Sequence, residues 1–200
     1  MITYETVILG CWAAFLLVWA VSAFNTKRDT RRGYGNIWHL FWLLRWVAAV
    51  VLLLFVAVRI ATGTAHFKNF GLVFLRGIFP QSTVLDWAAA VLSVIGAGIA
   101  IWARIHLGRN WSSRPAVKEN HELVTIGPYA YVRHPIYAGL ILMAFGTALT
   151  GSIWGIGVFI IASLTFTLRI GKEEKIMLEL FPDAYPVYQV RTKKLIPWVW

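Results

Sequence analysis

Arg133-His134-Pro135-Ile136-Tyr137 and Arg169-Ile170-Gly171-Lys172-Glu173-Glu174 are the stretches of this chain whose residue types could do chemistry. In the first, proline favours the opening position of a helix and pushes the residue before it out of helical geometry. Arg133 and His134 are then at the electropositive mouth of a helix starting at Pro135, where a carboxylate would be welcome. Lipid headgroups would suit the same two residues equally well. In the second stretch, Ile176, Met177, Leu180 and Phe181 share one face of an amphipathic helix. Glu173 and Glu174 are adjacent, so they point in different directions and only one of them faces any given ligand. A plain charge cluster with partners four residues away is the alternative. Gly127-Pro128-Tyr129 signals a turn after a β-prone piece, and beyond Pro182 come Tyr185, Tyr188 and Arg191 at intervals of three. The sequence has no Walker loop, no paired-histidine or Cys-His metal spacing and a single cysteine, Cys11. Soluble-type nucleotide binding, a metal centre and a disulfide framework therefore find no support.

The elements that must position these residues belong to a membrane. Of 200 residues 58% are hydrophobic and 14% charged, the mean hydropathy is +0.65, and eleven are tryptophan. Soluble chains carry about 25% charged residues, and tryptophan collects at the headgroup level of bilayers. The apolar runs Val7–Phe24, Ile37–Ala61 and Trp87–Ala103 predict three crossings, with Gly96, Ala97 and Gly98 small enough to let another helix close in. From Pro135 to Leu168 nothing is charged. Thirty-four helical residues would reach about 51 Å, so this run is expected to fold back at Thr150-Gly151-Ser152 as a pair of helices over 135–168.

The predicted fold is thus all-α and integral to the membrane, with about five transmembrane helices, the last two a hairpin. A cytoplasmic loop and a C-terminal helix complete a single domain, residues 1–103 supplying three membrane helices and 104–200 the chemistry. Charge gives an independent check. With five crossings and the N-terminus outside, the inside segments hold fifteen basic residues, from Lys27 through Arg133 to Lys194, against Lys68 and Arg76 outside. One crossing in place of the hairpin would leave nine against eight. The positive-inside rule selects five. Because the basic residues lie where topology demands them, nucleic-acid binding has no specific support.

Taken together, His121-x-Leu123, Gly127-Pro128-Tyr129, Arg133-His134-Pro135-x-Tyr137 and Glu173-Glu174, followed by Phe181, Tyr185, Tyr188, Arg191 and Ile196-Pro197, resemble the isoprenylcysteine carboxyl methyltransferase family. The likeness covers about the last hundred residues, with Phe181-Pro182 where the family commonly has Phe-Gly. It implies S-adenosylmethionine as methyl donor, bound on the cytoplasmic side beneath a lid formed by the tail. By that resemblance His121, Leu123, Gly127, Pro128, Tyr129, Val132, His134, Pro135, Tyr137 and one or both of Glu173 and Glu174 line the cofactor pocket. Arg133 and Arg191 would handle the carboxylate of a lipophilic, prenylcysteine-like acceptor drawn from the membrane, in a monomer that uses no metal. A phospholipid amine or a small thiol as acceptor, a nicotinamide-dependent membrane reductase, and a transporter or assembly protein are the competing readings.

Overall fold

The computed structural model describes residues 2–23, 29–32, 82–111, 116–118 and 122–200. The second apolar run, Ile37–Ala61, lies outside the described residues, as do Lys68, Arg76 and His121.

Five helices carry the described fold: α1 (Tyr4–Ala23), α2 (Thr83–Leu107), α3 (Pro135–Leu149), α4 (Ile153–Leu180) and α5 (Ala184–Arg191). A short antiparallel pair, β1 (Asp29–Arg32) with β2 (Ala116–Lys118), joins the segment after α1 to the segment after α2. Three of the helices are long and apolar enough to cross a bilayer, over Tyr4–Ser22, Thr83–Asn110 and Ile153–Leu180. Their outer faces are apolar too: Val84 is 78% exposed, Leu164 62% and Leu168 71%. Outward apolar surface of this extent suits lipid rather than water, and the multiple apolar helices are those of a multi-pass membrane protein.

Contacts along the helices give their directions. Ile8 packs with Ala89 and Ala90, and Phe15 with Ala97 and Ala100, so α1 and α2 run parallel. The seam between α2 and α3 is antiparallel and closes at glycine. A Cβ on Gly139 would lie 2.5 Å from the Gly96 carbonyl and 2.6 Å from the Ala100 nitrogen, and one on Gly146 would meet the Ser93 hydroxyl at 2.5 Å. Of the three small residues flagged in α2, Gly96 and Ala97 face this seam, whereas Gly98 has nothing within 4 Å of its would-be Cβ. Helix α3 ends where the sequence predicts, and Gly151 (φ 72°) makes the turn into α4. Ser152 caps α4 by accepting from the Gly155 nitrogen at 3.0 Å. Gly155 approaches Thr147, Phe159 meets Phe145 and Phe166 stacks on Tyr137, so α4 returns antiparallel along α3.

Two expectations change. At fifteen residues α3 spans about 22 Å, short of the hydrocarbon thickness of about 30 Å. The amphipathic segment predicted to start after Leu168 is not a separate helix, because α4 runs without a break from Ile153 to Leu180. An Arg169–Glu173 ion pair at 2.7 Å, one helical turn apart, carries it through Gly171, and the chain breaks only before Pro182. The directions place the C-terminal end of α2, the start of α3 and the C-terminal end of α4 together at one end of the bundle.

Candidate active site

At that common end the chain is bent by necessity. Helix α2 stops at Leu107, and Gly108 turns it with φ 52°. A second turn, Gly127–Ala130, starts with Gly127 at φ 61°. A Cβ on Gly127 would collide with the imidazole of His106, so the residue is needed both for its backbone angle and for its lack of a side chain. Pro128 and Tyr129 are buried in this turn, and the Tyr129 carbonyl accepts the Tyr188 hydroxyl at 2.7 Å. The tail then lies along the strand-like residues before α3. Val132 bridges Lys193 in parallel register, and the Arg133 and His134 nitrogens donate to the Lys193 and Lys194 carbonyls at 2.8 and 3.0 Å. Loop and tail, more than fifty residues apart, are thereby stitched into one wall.

Arg133 is the clasp. Its Nε donates to Glu174 Oε1 at 2.8 Å, and its Nη1 donates to the carbonyls of Gln189, at 3.1 Å, and Thr192. One guanidinium therefore ties α4 to the C-terminal end of α5, and it is 8% exposed while Glu174 is 11% exposed. Glu173, next door, is held differently. It accepts the Tyr137 hydroxyl at 2.7 Å and Arg169 Nε at 2.7 Å, while the Arg169 guanidinium also lies 5.7 Å from the Tyr137 ring. His134 sits between the two acids, Nδ1 3.7 Å from Glu173 and Nε2 3.5 Å from Glu174, and stacks on Tyr137 with only 7° between the rings. Its Nε2 is buried without a hydrogen-bond partner.

These groups border a cavity of about 140 Å³. Of the residues expected at the site, Leu123, Tyr129, Arg133, His134, Tyr137 and Glu173 line it. Gly127, Pro128, Val132 and Pro135 lie behind, shaping the backbone, and Glu174 is buried beneath Arg133. The acidic pair thus divides as adjacency on a helix requires. Arg191, at the end of α5, is exposed and does not reach the cavity. Burial raises the phenol pKa values of Tyr129 and Tyr185, in both cases reinforced by nearby carboxylates, and pushes Tyr188 up to about 12. At neutral pH all three are neutral hydroxyl donors. Among the described residues there is no group of three or more metal-ligating side chains.

The sequence reading missed several members. Arg169 opens the tail in sequence, and its four-residue spacing from Glu173 is the signal for its place beside the site. Asn110 and Trp111 also line the cavity; Gly108, just ahead of them, was the only hint of a turn at the membrane edge. Tyr185 and Tyr188 were noted for their spacing but given no role, and both are buried in the cavity wall.

Residues 89–179 match the family described as isoprenylcysteine carboxyl methyltransferase (ICMT), a stretch that takes in most of α2, the loop, α3 and nearly all of α4. The match to this family takes in a little under half of the chain. The chain is 32% identical over 136 residues to a protein-S-isoprenylcysteine O-methyltransferase of Schizosaccharomyces pombe, an overlap of 66% of this chain and 55% of the relative. It is also similar to the solved structure of a eukaryotic intramembrane Ras methyltransferase, ICMT, with a TM-score of 0.51 at 26% identity over 58% of this chain and 46% of that one. A further relative is methanethiol S-methyltransferase 1 of Bradyrhizobium diazoefficiens, 36% identical over 70 residues, 35% of this chain and 24% of the relative. The chain thus spans about half the length of the first two proteins.

Proposed function

We propose that the protein is a membrane methyltransferase that uses S-adenosylmethionine to esterify the carboxylate of a lipophilic, prenylcysteine-like acceptor. The observation that carries this reading is the convergence of Arg133, His134, Tyr137 and Glu173 on one cavity at the end of a bundle of apolar helices. The residues fit such a donor. Glu173 offers a carboxylate to an amino or hydroxyl group, while His134 and Asn110 line the cavity and Asn110 Oδ1 has no hydrogen-bond partner among the described residues. Bound there, S-adenosylmethionine supplies a methyl group on a positively charged sulfonium.

The chain's own tasks follow from the acceptor. A carboxylate is already ionised at neutral pH, so no side chain has to remove a proton. The neutral hydroxyls of Tyr129, Tyr185 and Tyr188 agree with a site that holds and dries its reactants. Tyr129 lines the cavity and can offer a ring face to a cation, whereas the Tyr137 ring is already stacked by His134 and Phe166. Arg133 has Nη2 left after its contacts to Glu174 and the tail, which suits a carboxylate oxygen. Arg191 would join it only through movement of α5. The tail excludes water from a reaction in which opposite charges cancel, and alignment supplies the remaining rate. We assign residues 104–200 this chemistry and residues 1–103 membrane embedding, the apolar run 135–168 supplying α3 and the membrane-facing part of α4. By the positive-inside rule the site faces the cytoplasm, and a C-terminal reporter with a periplasmic or luminal signal would overturn that orientation.

Labelled donor offered to purified protein with N-acetyl-farnesylcysteine, unprenylated thiols and phosphatidylethanolamine tests the reading. The expected product is a base-labile methyl ester on the prenylated acid, and label on the thiol or the amine alone would refute it. A thiol acceptor is the second reading, favoured by the similarity to methanethiol S-methyltransferase 1. It would need a base for the thiol proton; the three buried tyrosines do not meet that demand, and His134 is the imidazole in the lining that could.

A further inference from the structure

The cavity has two chemically different walls. Arg133, His134 and Glu173 make one of them charged; on the other the end of α2 contributes Leu107, Asn110 and Trp111, and the segment after it Glu122, Leu123 and Val124. Asn110 is 8% exposed, and its Oδ1 is buried with no hydrogen-bond partner among the described residues. Leaving such a group unpaired is costly, so native structures rarely do it without a ligand or water to complete the site.

The turn that presents Asn110 is firmly built. Arg104, 2% exposed, donates Nη1 to the Gly108 carbonyl at 2.7 Å and Nη2 to the Ser22 carbonyl at 2.8 Å. Its guanidinium lies 4.7 Å from the Trp111 ring and 5.7 Å from that of Trp19, and the two indoles meet edge to face at 5.5 Å. The amide is thus held where it is, with an apolar and aromatic surface around it.

We propose that Asn110 recognises the purine base of the methyl donor. The inference rests on the donor chemistry assigned above. A primary amide carries an acceptor and a donor side by side, and the edge of adenine presents an amino donor beside a ring-nitrogen acceptor. A carboxylate would satisfy the amino group but repel the ring nitrogen. The charged half of the donor has its partner on the other wall, in Glu173, which leaves the aromatic surface around Asn110 for the base.

The test is a binding measurement on the full chain in detergent or nanodiscs, comparing S-adenosylhomocysteine with its analogue lacking the 6-amino group. The native protein should bind the analogue about ten-fold more weakly or worse, as expected for one lost hydrogen bond at a buried polar site. In Asn110→Ala the two ligands should come within about two-fold of each other. Asn110→Leu, which fills the same space without polar atoms, should behave alike, whereas a merely space-filling role would leave the native preference intact in this variant. Either folded variant retaining the ten-fold preference, a native protein that does not discriminate, or a failure of both variants to fold would overturn the role of Asn110. A native protein that binds neither ligand would instead remove the donor assignment on which it rests.

Discussion

The α2–α3 seam and the clasp at its end are both tightly closed, and they are closed by opposite means. At Gly96, Gly139 and Gly146 two backbones touch because side chains are missing, with no charge nearby. At Arg133 a single long side chain reaches α4 and the tail through hydrogen bonds to a carboxylate and two carbonyls. The seam tolerates nothing larger and binds nothing. The clasp holds charge in reserve beside a cavity. Packing of the first kind fixes where helices lie; polar fastening of the second kind can be shared with a ligand, which is why the site is at the bundle's end and not along its length.

The largest effect should come from filling the seam. In Gly139→Leu the added Cβ alone would stand 2.5 to 2.6 Å from the backbone of α2, and neither helix can yield without opening the bundle. Folded, monodisperse protein should be lost, as size-exclusion chromatography would report; normal recovery would mean the seam is looser than its geometry. Next in size is Glu174→Leu. Removing the acid strands Arg133 in a buried position, where breaking such a pair costs about 3–5 kcal/mol. Thermal unfolding should shift strongly downward, and the double change Arg133→Met with Glu174→Leu should restore part of the loss.

The two regions also differ in what their residues reveal beforehand. The break at Thr150-Gly151-Ser152 and the glycine at position 96 are local signals, readable because a turn or a small residue has meaning by itself. Gly139 and Gly146 sit in the same uncharged run as their neighbours, and only their partners on α2 distinguish them. Arg133 was singled out for its place beside Pro135, yet its principal partners are Glu174 and carbonyls of the tail, contacts set by the return of α4 and invisible to spacing. The continuity of α4 past Leu168 escaped for the opposite reason: the change from apolar to charged sequence looked like a boundary, while an i,i+4 ion pair spans it. Arg191, which the resemblance placed at the acceptor, is at the exposed end of α5.

Between the seam and the surface lies Glu173, which lines the cavity yet is fastened by Tyr137 and Arg169. Glu173→Gln keeps the size and removes the charge. Because hydrogen bonds to charged groups are worth about 1.5–3 kcal/mol, affinity for S-adenosylhomocysteine should fall by roughly ten- to a hundred-fold. Calorimetry would read this directly, and an unchanged dissociation constant would take Glu173 out of the donor site.

The smallest effect is expected at Arg191. Its side chain is exposed and outside the cavity, so Arg191→Lys should leave the melting temperature close to native and donor affinity within about two-fold of it, as surface changes usually do. Turnover on the prenylated acid is the sharper measure. A side chain left in water contributes little whether it ends in an ammonium or a guanidinium, whereas one that swings in to grip a carboxylate depends on the two-pronged fork that lysine lacks. Turnover close to native is the outcome this geometry expects, and it would leave Arg133 as the acceptor's anion contact. A large loss with donor binding intact would mean that α5 closes over the cavity during the reaction, converting the clasp from a fixed fastening into a moving one.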